Sequence, residues 1–259
     1  MGHERLGALP RTARWRAVVG LISGSEFPSD IAAEVADATL TNVRRRFEGL
    51  ADEDSVLAAF RFLIALPLAT RTLDPQATLL SDSGIGVGGP PSPLALAKAF
   101  QASLEELPHA EHSDLAAKAL ADALSRYSLE PQFRQASMFE SGPWDTWREA
   151  DTAAGFCELS RLYFASLTER YLRYFLDREA SAALGDPQRV TDFRSSLRLR
   201  VDSISRHAFE TAKIAQSFAA GWFQKHAKGG MPPEQDIRGF LSYALHKIRE
   251  ELRREVGNG

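Results

Sequence analysis

Residues 151–183 read DTAAGFCELSRLYFASLTERYLRYFLDREASAA, and no other stretch of that length is so apolar and so free of helix breakers. Wound as a helix, its charges fall mainly on one ladder, Arg161, Glu169, Arg173 and Asp177, in four-residue steps with Ala165 between, and Glu158 and Arg170 lie beside it. Phe156, Leu159, Leu162, Tyr163, Phe164, Leu167, Tyr171, Leu172, Tyr174, Phe175 and Leu176 occupy most of the remaining circumference. A helix apolar over so much of its surface is wrapped by other helices. The stretch therefore predicts the central helix of an all-α, multi-helix bundle.

On its C-terminal side, Leu184-Gly185 and then Asp186-Pro187 read as a helix stop followed by a helix start. The next helix is expected to run to about His226. Its apolar positions Leu197, Val201, Ile204, Ala208, Thr211, Ala215, Phe218 and Trp222 alternate by four and three, an a/d seam suited to an antiparallel partner. That pattern predicts a long central helical hairpin turning at Gly185. The segment KGGMPP, residues 228–233, is a linker. A last helix, Glu234 to Val256, follows with Ile237, Leu241, Ala244, Ile248 and Leu252 on one stripe.

On the N-terminal side, a short helix is expected from Thr12 to Ile22, an amphipathic helix from Ser29 to Phe47, and an apolar one from Asp52 to Thr70 that Pro67 kinks or ends. Gly49 sits where a C-terminal cap belongs. Asp74 to Pro93, rich in proline and glycine, reads as a long loop. Ser92-Pro93 caps a helix expected to reach Leu107, and a further helix runs from Ser113 to Tyr127. Glu130 to Pro143 reads either as a short helix or as an irregular connector. Pro143 supports a start for the central helix, with Trp144 and Trp147 together on its first turn. No strand alternation and no internal repeat is present. The loop divides the chain into an N-terminal helical part, residues 1–80, and a C-terminal helical bundle, residues 92–259, with one continuous domain as the other reading.

Composition narrows the function classes. With 259 residues, a quarter of them charged, the chain is long enough to bury a sizeable core and is ordinary for a globular protein. The formal net charge of -3 gives no case for nucleic-acid or membrane binding from the total alone. The single cysteine, Cys157, precludes an intramolecular disulfide and suits a reducing compartment, where it reads as a small apolar core side chain. Four arginines stand in the first twenty residues, but the apolar run Ala17 to Ile22 is too short for a signal-peptide core. No window approaches the roughly 20 apolar residues of a membrane span. A soluble cytoplasmic protein is expected, and the usage of alanine and arginine suits a bacterial source.

No catalytic, metal or nucleotide motif survives inspection. The glycines of GIGVGG, residues 84–89, lack the preceding buried strand and the following Lys-Ser/Thr of a phosphate loop, and Pro90-Pro91 follows instead. His109 and His112 have a metal-ligand spacing with Glu106 nearby, yet Pro108 breaks the helix that would align them. His207, His226 and His246 stand apart from any partnered nucleophile. No cofactor and no metal ligand set is therefore expected. Charge is distributed unevenly. From Pro187 to Lys228 eight basic residues face three acidic ones, and from Gln101 to Asp186 fifteen acidic residues face eight basic ones. Arg194, Arg198, Asp202 and Arg206 stand four apart, a face expected to be laced to the bundle by salt bridges, or alternatively to contact nucleic acid. The run IAAEVADATLTNVRRRFEGLADEDSVLAAF, residues 31–60, resembles the DNA-binding end of TetR-type repressors in wording. It lacks their small-residue turn, which Asp37-Ala38-Thr39 does not supply, and no contact residue carries over.

The function expected is therefore a non-enzymatic helical interaction protein, an adaptor or accessory subunit of a multi-protein assembly, docking a protein partner or a second copy through Ile237, Leu241, Ala244, Ile248 and Leu252. The alternatives are a nucleic-acid-associated regulator using Arg194, Arg198 and Arg206, and an enzyme with an active site assembled only in three dimensions.

Overall fold

A computed structural model of the chain describes residues 13–24, 32–105, 112–129, 142–210 and 218–257. These form 11 α-helices and no strand. In chain order they are α1 (Ala13–Gly24), α2 (Ala32–Gly49), a 3-10 turn (Leu50–Asp52), α3 (Asp54–Ala69), α4 (Pro75–Ser83), α5 (Pro93–Leu104), α6 (Ser113–Leu129), α7 (Asp145–Glu149), α8 (Ala153–Leu184), α9 (Pro187–Glu210), α10 (Phe218–His226) and α11 (Glu234–Gly257).

The 32 residues of α8 hold the position that their apolar circumference demands. It packs against α6 and α9, and also against α10, α1, α2 and α3. Phe156, Leu159, Leu162, Tyr163, Phe164, Leu167, Tyr171, Leu172, Phe175 and Leu176 are all fully buried. The helix is bounded by the chemistry of its ends. Thr152 Oγ1 accepts from the Gly155 amide at 3.0 Å, and Gly185 takes the left-handed conformation at φ 65° that lets the chain turn into α9. There Asp186 Oδ1 accepts from the Gln188 amide at 2.8 Å. Helix α6 covers α8 as extensively as α9 does, so α8 is shared among several neighbours and not paired off with α9 alone. Leu197 and Val201 of the expected seam are buried, whereas Thr211 and Ala215 and the side chains of Ile204 and Ala208 lie outside the described residues.

Two expectations fail. The stretch from Asp74 to Pro93 is not loop throughout, because α4 occupies its first half. The Asp74 carboxylate accepts from the Ala77 amide at 3.1 Å, Pro75 supplies the preset first-turn φ, and Gly84 closes the helix at φ 76°. This is the grammar that also starts α5 at Ser92-Pro93, where Ser92 Oγ accepts from the Ala95 amide at 3.2 Å. Only Leu79 of α4 is buried, so the apolar period that announces longer helices is missing. The second failure lies at Pro143. Trp144 and Trp147 are not on the first turn of the central helix: Trp147 belongs to the separate short α7 and Trp144 is its N-cap residue, and the chain turns through Ala150 and Asp151 before α8 begins. Gly155 makes the sharp junction possible, since a β-carbon there would stand 2.0 Å from the Glu149 carbonyl oxygen. Pro67 lies inside the last turn of α3, which ends two residues later at Ala69. Residues 106–111 and 130–141, which include the expected end of α5 and the ambiguous connector, lie outside the described residues.

One cluster of buried side chains runs from Val18 in α1 to Ile248 in α11. At its centre Phe60 of α3 stacks on Phe240 of α11 with centroids 5.0 Å apart and meets Phe164 of α8 at 5.4 Å. Trp147 is fully buried, and its indole N–H donates to the Pro91 carbonyl at 2.8 Å, tying the loop before α5 to α7.

Candidate docking groove and charged positions

The stripe nominated for docking is spent on the chain itself. Ile237, Leu241, Ala244 and Ile248 are buried where α11 packs against α2, α3 and α9, and the Leu252 side chain lies outside the described residues. A helix whose apolar stripe meets its own bundle presents the opposite side outward. On that side Gly239 and Tyr243 are exposed, Tyr243 to 49 %.

Helix α10 lies beside this face. Its Phe218 and Trp222 are one turn apart, as are Phe240 and Tyr243 of α11, and the four rings form a continuous row. Centroid separations are 4.7 Å for Trp222 and Phe240, 5.3 Å for Phe240 and Phe218, and 4.9 Å for Phe218 and Tyr243. With Gln235, Asp236 and Gly239 they line an open groove of about 440 Å³, a size typical of ligand clefts, roughly 300–1,000 Å³. Among the described residues, and apart from the adjoining residues and backbone of α11 itself, no heavy atom lies within 4 Å of where a β-carbon on Gly239 would stand, so the absent side chain keeps the groove floor open. At one end Asp236 Oδ2 and His226 Nδ1 are 3.0 Å apart, and the His226 ring stacks on Trp222 with centroids 5.3 Å apart. Reading the sequence for helix stripes draws attention to the regular face of α11 and passes over this one. Its signal is the pairing of aromatics four apart at Phe218 and Trp222 with aromatics three apart at Phe240 and Tyr243, around a mid-helix glycine.

The basic face of α9 is laced to its neighbours. Arg194 Nε donates to Asp177 at 2.9 Å and Arg198 Nη2 donates to Asp122 at 3.3 Å, while the Arg206 side chain lies outside the described residues. Deeper in, Arg161 of α8 is 1 % exposed and holds Glu158 at 2.5 Å and Asp202 at 3.0 Å. Arg126 of α6 reaches the same Asp202 oxygen at 2.5 Å. Burial works against the charged form of Arg161, but the two carboxylates outweigh it and raise its pKa above the ordinary value. Burial likewise favours a neutral Asp202, yet the hydrogen bond from Arg126 and the charge of Arg161 hold its carboxyl below the usual range. The attraction expected between the acidic and basic segments is thus realised in specific pairs joining α6, α8 and α9. The turn between two helices that TetR-type repressors would need is also lacking, because Asp37 to Thr39 lie inside the unbroken α2.

His112 is buried with Nδ1 3.3 Å from Glu53 Oε2, while Glu106 and His109 lie outside the described residues. Among the described residues no group of three or more histidine, cysteine or acidic side chains is placed to hold a metal ion. Burial pushes the phenols of Tyr127 and Tyr163 well above their ordinary pKa, so both are neutral near pH 7. Cys157 is half-buried and packed against the core. None of the described helices is long and apolar enough to cross a membrane. Comparison of the chain with protein-family models, with curated proteins and with solved structures finds no match.

Proposed function

We propose that the chain is a cytoplasmic, non-enzymatic helical interaction protein, an adaptor or accessory subunit, that docks a protein partner along the groove between α10 and α11. The observation that carries this reading is the groove beside the outward side of α11, where the half-buried Phe218 and Trp222 of α10 and the exposed Tyr243 of α11 meet over the buried ring of Phe240. Aromatic side chains are what protein interfaces concentrate at their energetic centre, because they bury a large area with few rotatable bonds. The buried cluster that joins α3, α8 and α11 supports one continuous domain over two parts separated at the loop, with the α8–α9 hairpin as the rigid base on which α10 and α11 are held. The ion pairs of Arg194 and Arg198 weigh against the nucleic-acid alternative, since a phosphate would have to displace Asp177 and Asp122.

The test is affinity purification of the tagged chain from its native host after nuclease treatment, in parallel with the Gly239→Leu and Tyr243→Ala variants. The expected result is a protein recovered in stoichiometric amount with the unaltered chain and lost with both variants. Recovery of the same protein with either variant at the unaltered level removes the groove from the reading.

A further inference from the structure

We propose that the groove is an anchor site for a cationic side chain, specifically an arginine guanidinium presented by the docking partner. The inference rests on the docking reading and names the chemistry of what docks. Three features carry it. First, aromatic faces bear a negative quadrupole, and a row of them offers a planar cation a surface that is both apolar and attractive. Second, among the described residues lining the groove Asp236 is the one with an ionisable carboxyl, and no lysine or arginine is among them. The side chain best complemented there has an apolar body and a positive end. His226 holds one Asp236 oxygen at 3.0 Å and so fixes the orientation of a carboxylate that has lone pairs for further donors. Third, the chain seats one of its own guanidinium groups on a ring, a carboxylate and backbone carbonyls, one residue along α10 from Trp222. Arg71 lies 5.7 Å from the Phe223 ring centroid, donates to Asp151 at 2.6 Å through Nη2, and donates to the Ala227 carbonyl at 2.7 Å through Nη1. The groove is likewise lined by a ring, a carboxylate and an amide, Tyr243, Asp236 and Gln235, of which Tyr243 is 49 % exposed, whereas the Trp222 ring already stacks on His226. Arginine is favoured over lysine because its flat, weakly hydrated fork stacks on a ring while donating in its own plane, whereas an ammonium is a compact, strongly hydrated charge.

The experiment titrates the full-length chain with N-acetyl-arginine N-methylamide, and in parallel with the citrulline analogue, which has nearly the same shape without the charge. Binding is followed by the Gly239 amide resonance and by tryptophan fluorescence, with Trp222→Phe identifying the reporter among the four tryptophans. Saturable binding of the arginine probe is expected in the roughly millimolar range, with the citrulline probe and the Asp236→Asn variant each about tenfold weaker. Gly239→Leu, whose β-carbon enters open space, is expected to abolish binding while leaving the far-ultraviolet circular dichroism unchanged. Equal affinity for the two probes, or no saturable response to the arginine probe, overturns the proposal. The affinity-purification arm keeps the two readings apart. A protein partner lost with Gly239→Leu but retained with Asp236→Asn leaves docking standing and removes the cationic anchor, whereas a partner retained with both removes docking itself.

Discussion

Replacing glycine by alanine is expected to act with opposite sign at two helical positions of this chain, and the difference follows from space alone. At Gly155, in the first turn of α8, an added β-carbon would meet the Glu149 carbonyl oxygen at 2.0 Å, the Glu149 carbonyl carbon at 2.7 Å and the Ala150 α-carbon at 2.9 Å. All three are backbone atoms of the junction with α7, so no side-chain rotation relieves the clash. To restore an ordinary separation of 3.4 Å the junction must open by about 1.4 Å at the oxygen. That movement disturbs the Thr152 cap and the seat of Trp147. Overpacking of this kind costs up to about 3 kcal/mol, of which the better helix propensity of alanine returns about 1 kcal/mol. The net loss of about 2 kcal/mol corresponds to a Tm lower by roughly 4–8 °C for a chain of this size. At Gly239 nothing lies within 4 Å of the new methyl group, so Gly239→Ala gains the propensity term without the clash, about 0.5–1 kcal/mol and a few degrees in Tm. Thermal melts of the three proteins at one concentration, followed by circular dichroism at 222 nm, check both signs. A Gly155→Ala variant as stable as the unaltered chain would refute the close approach of α7 to α8, and equal shifts in the two variants would refute the spatial account of both glycines.

Three further outcomes are expected. Arg161→Met leaves the half-buried Glu158 and Asp202 without their shared cation while Arg126 still reaches Asp202, and denaturant unfolding should show a loss of about 1–3 kcal/mol. Because Asp202 titrates below the usual carboxylate range in the folded chain, its contribution is present above the unfolded carboxylate pKa of about 4 and is lost as pH falls through the depressed folded value. Acid titration of Asp202→Asn should therefore show a shallower decline in stability below about pH 4 than the unaltered chain, and parallel curves would remove that ion network as a source of the pH dependence. Deleting residues 234–259 uncovers Phe60, Phe164 and the apolar faces of α2 and α3, so the shortened chain is expected to aggregate or lose cooperative unfolding; a soluble, cooperatively melting product would show that α11 is a detachable arm.

How much of this was legible beforehand depended on the range of the interaction that decides each feature. An apolar circumference, a Ser92 cap, a Pro187 after Asp186 and a Gly185 are local facts, and they determined from sequence alone that the chain is all-helical, that residues 151–183 hold one long buried helix, and where the helices at Pro93 and Pro187 begin. The same local grammar was present at Asp74-Pro75 and Gly84, where only Leu79 reached the core and no apolar period announced α4. Tertiary structure alone decided which side of each helix meets which neighbour. The stripe of α11 reads equally well as a surface for a partner or for the chain's own bundle, because burial against α2, α3 and α9 and burial against another protein reward the same spacing of Ile237, Leu241, Ala244 and Ile248. The basic positions of α9 pose the same ambiguity, resolved when α6 and α8 bring Asp122 and Asp177 within reach of Arg198 and Arg194. The groove, built from α10 and α11 across a turn, exists only once both helices are placed, since Phe218 and Trp222 come from one helix and the rest of its lining from the other.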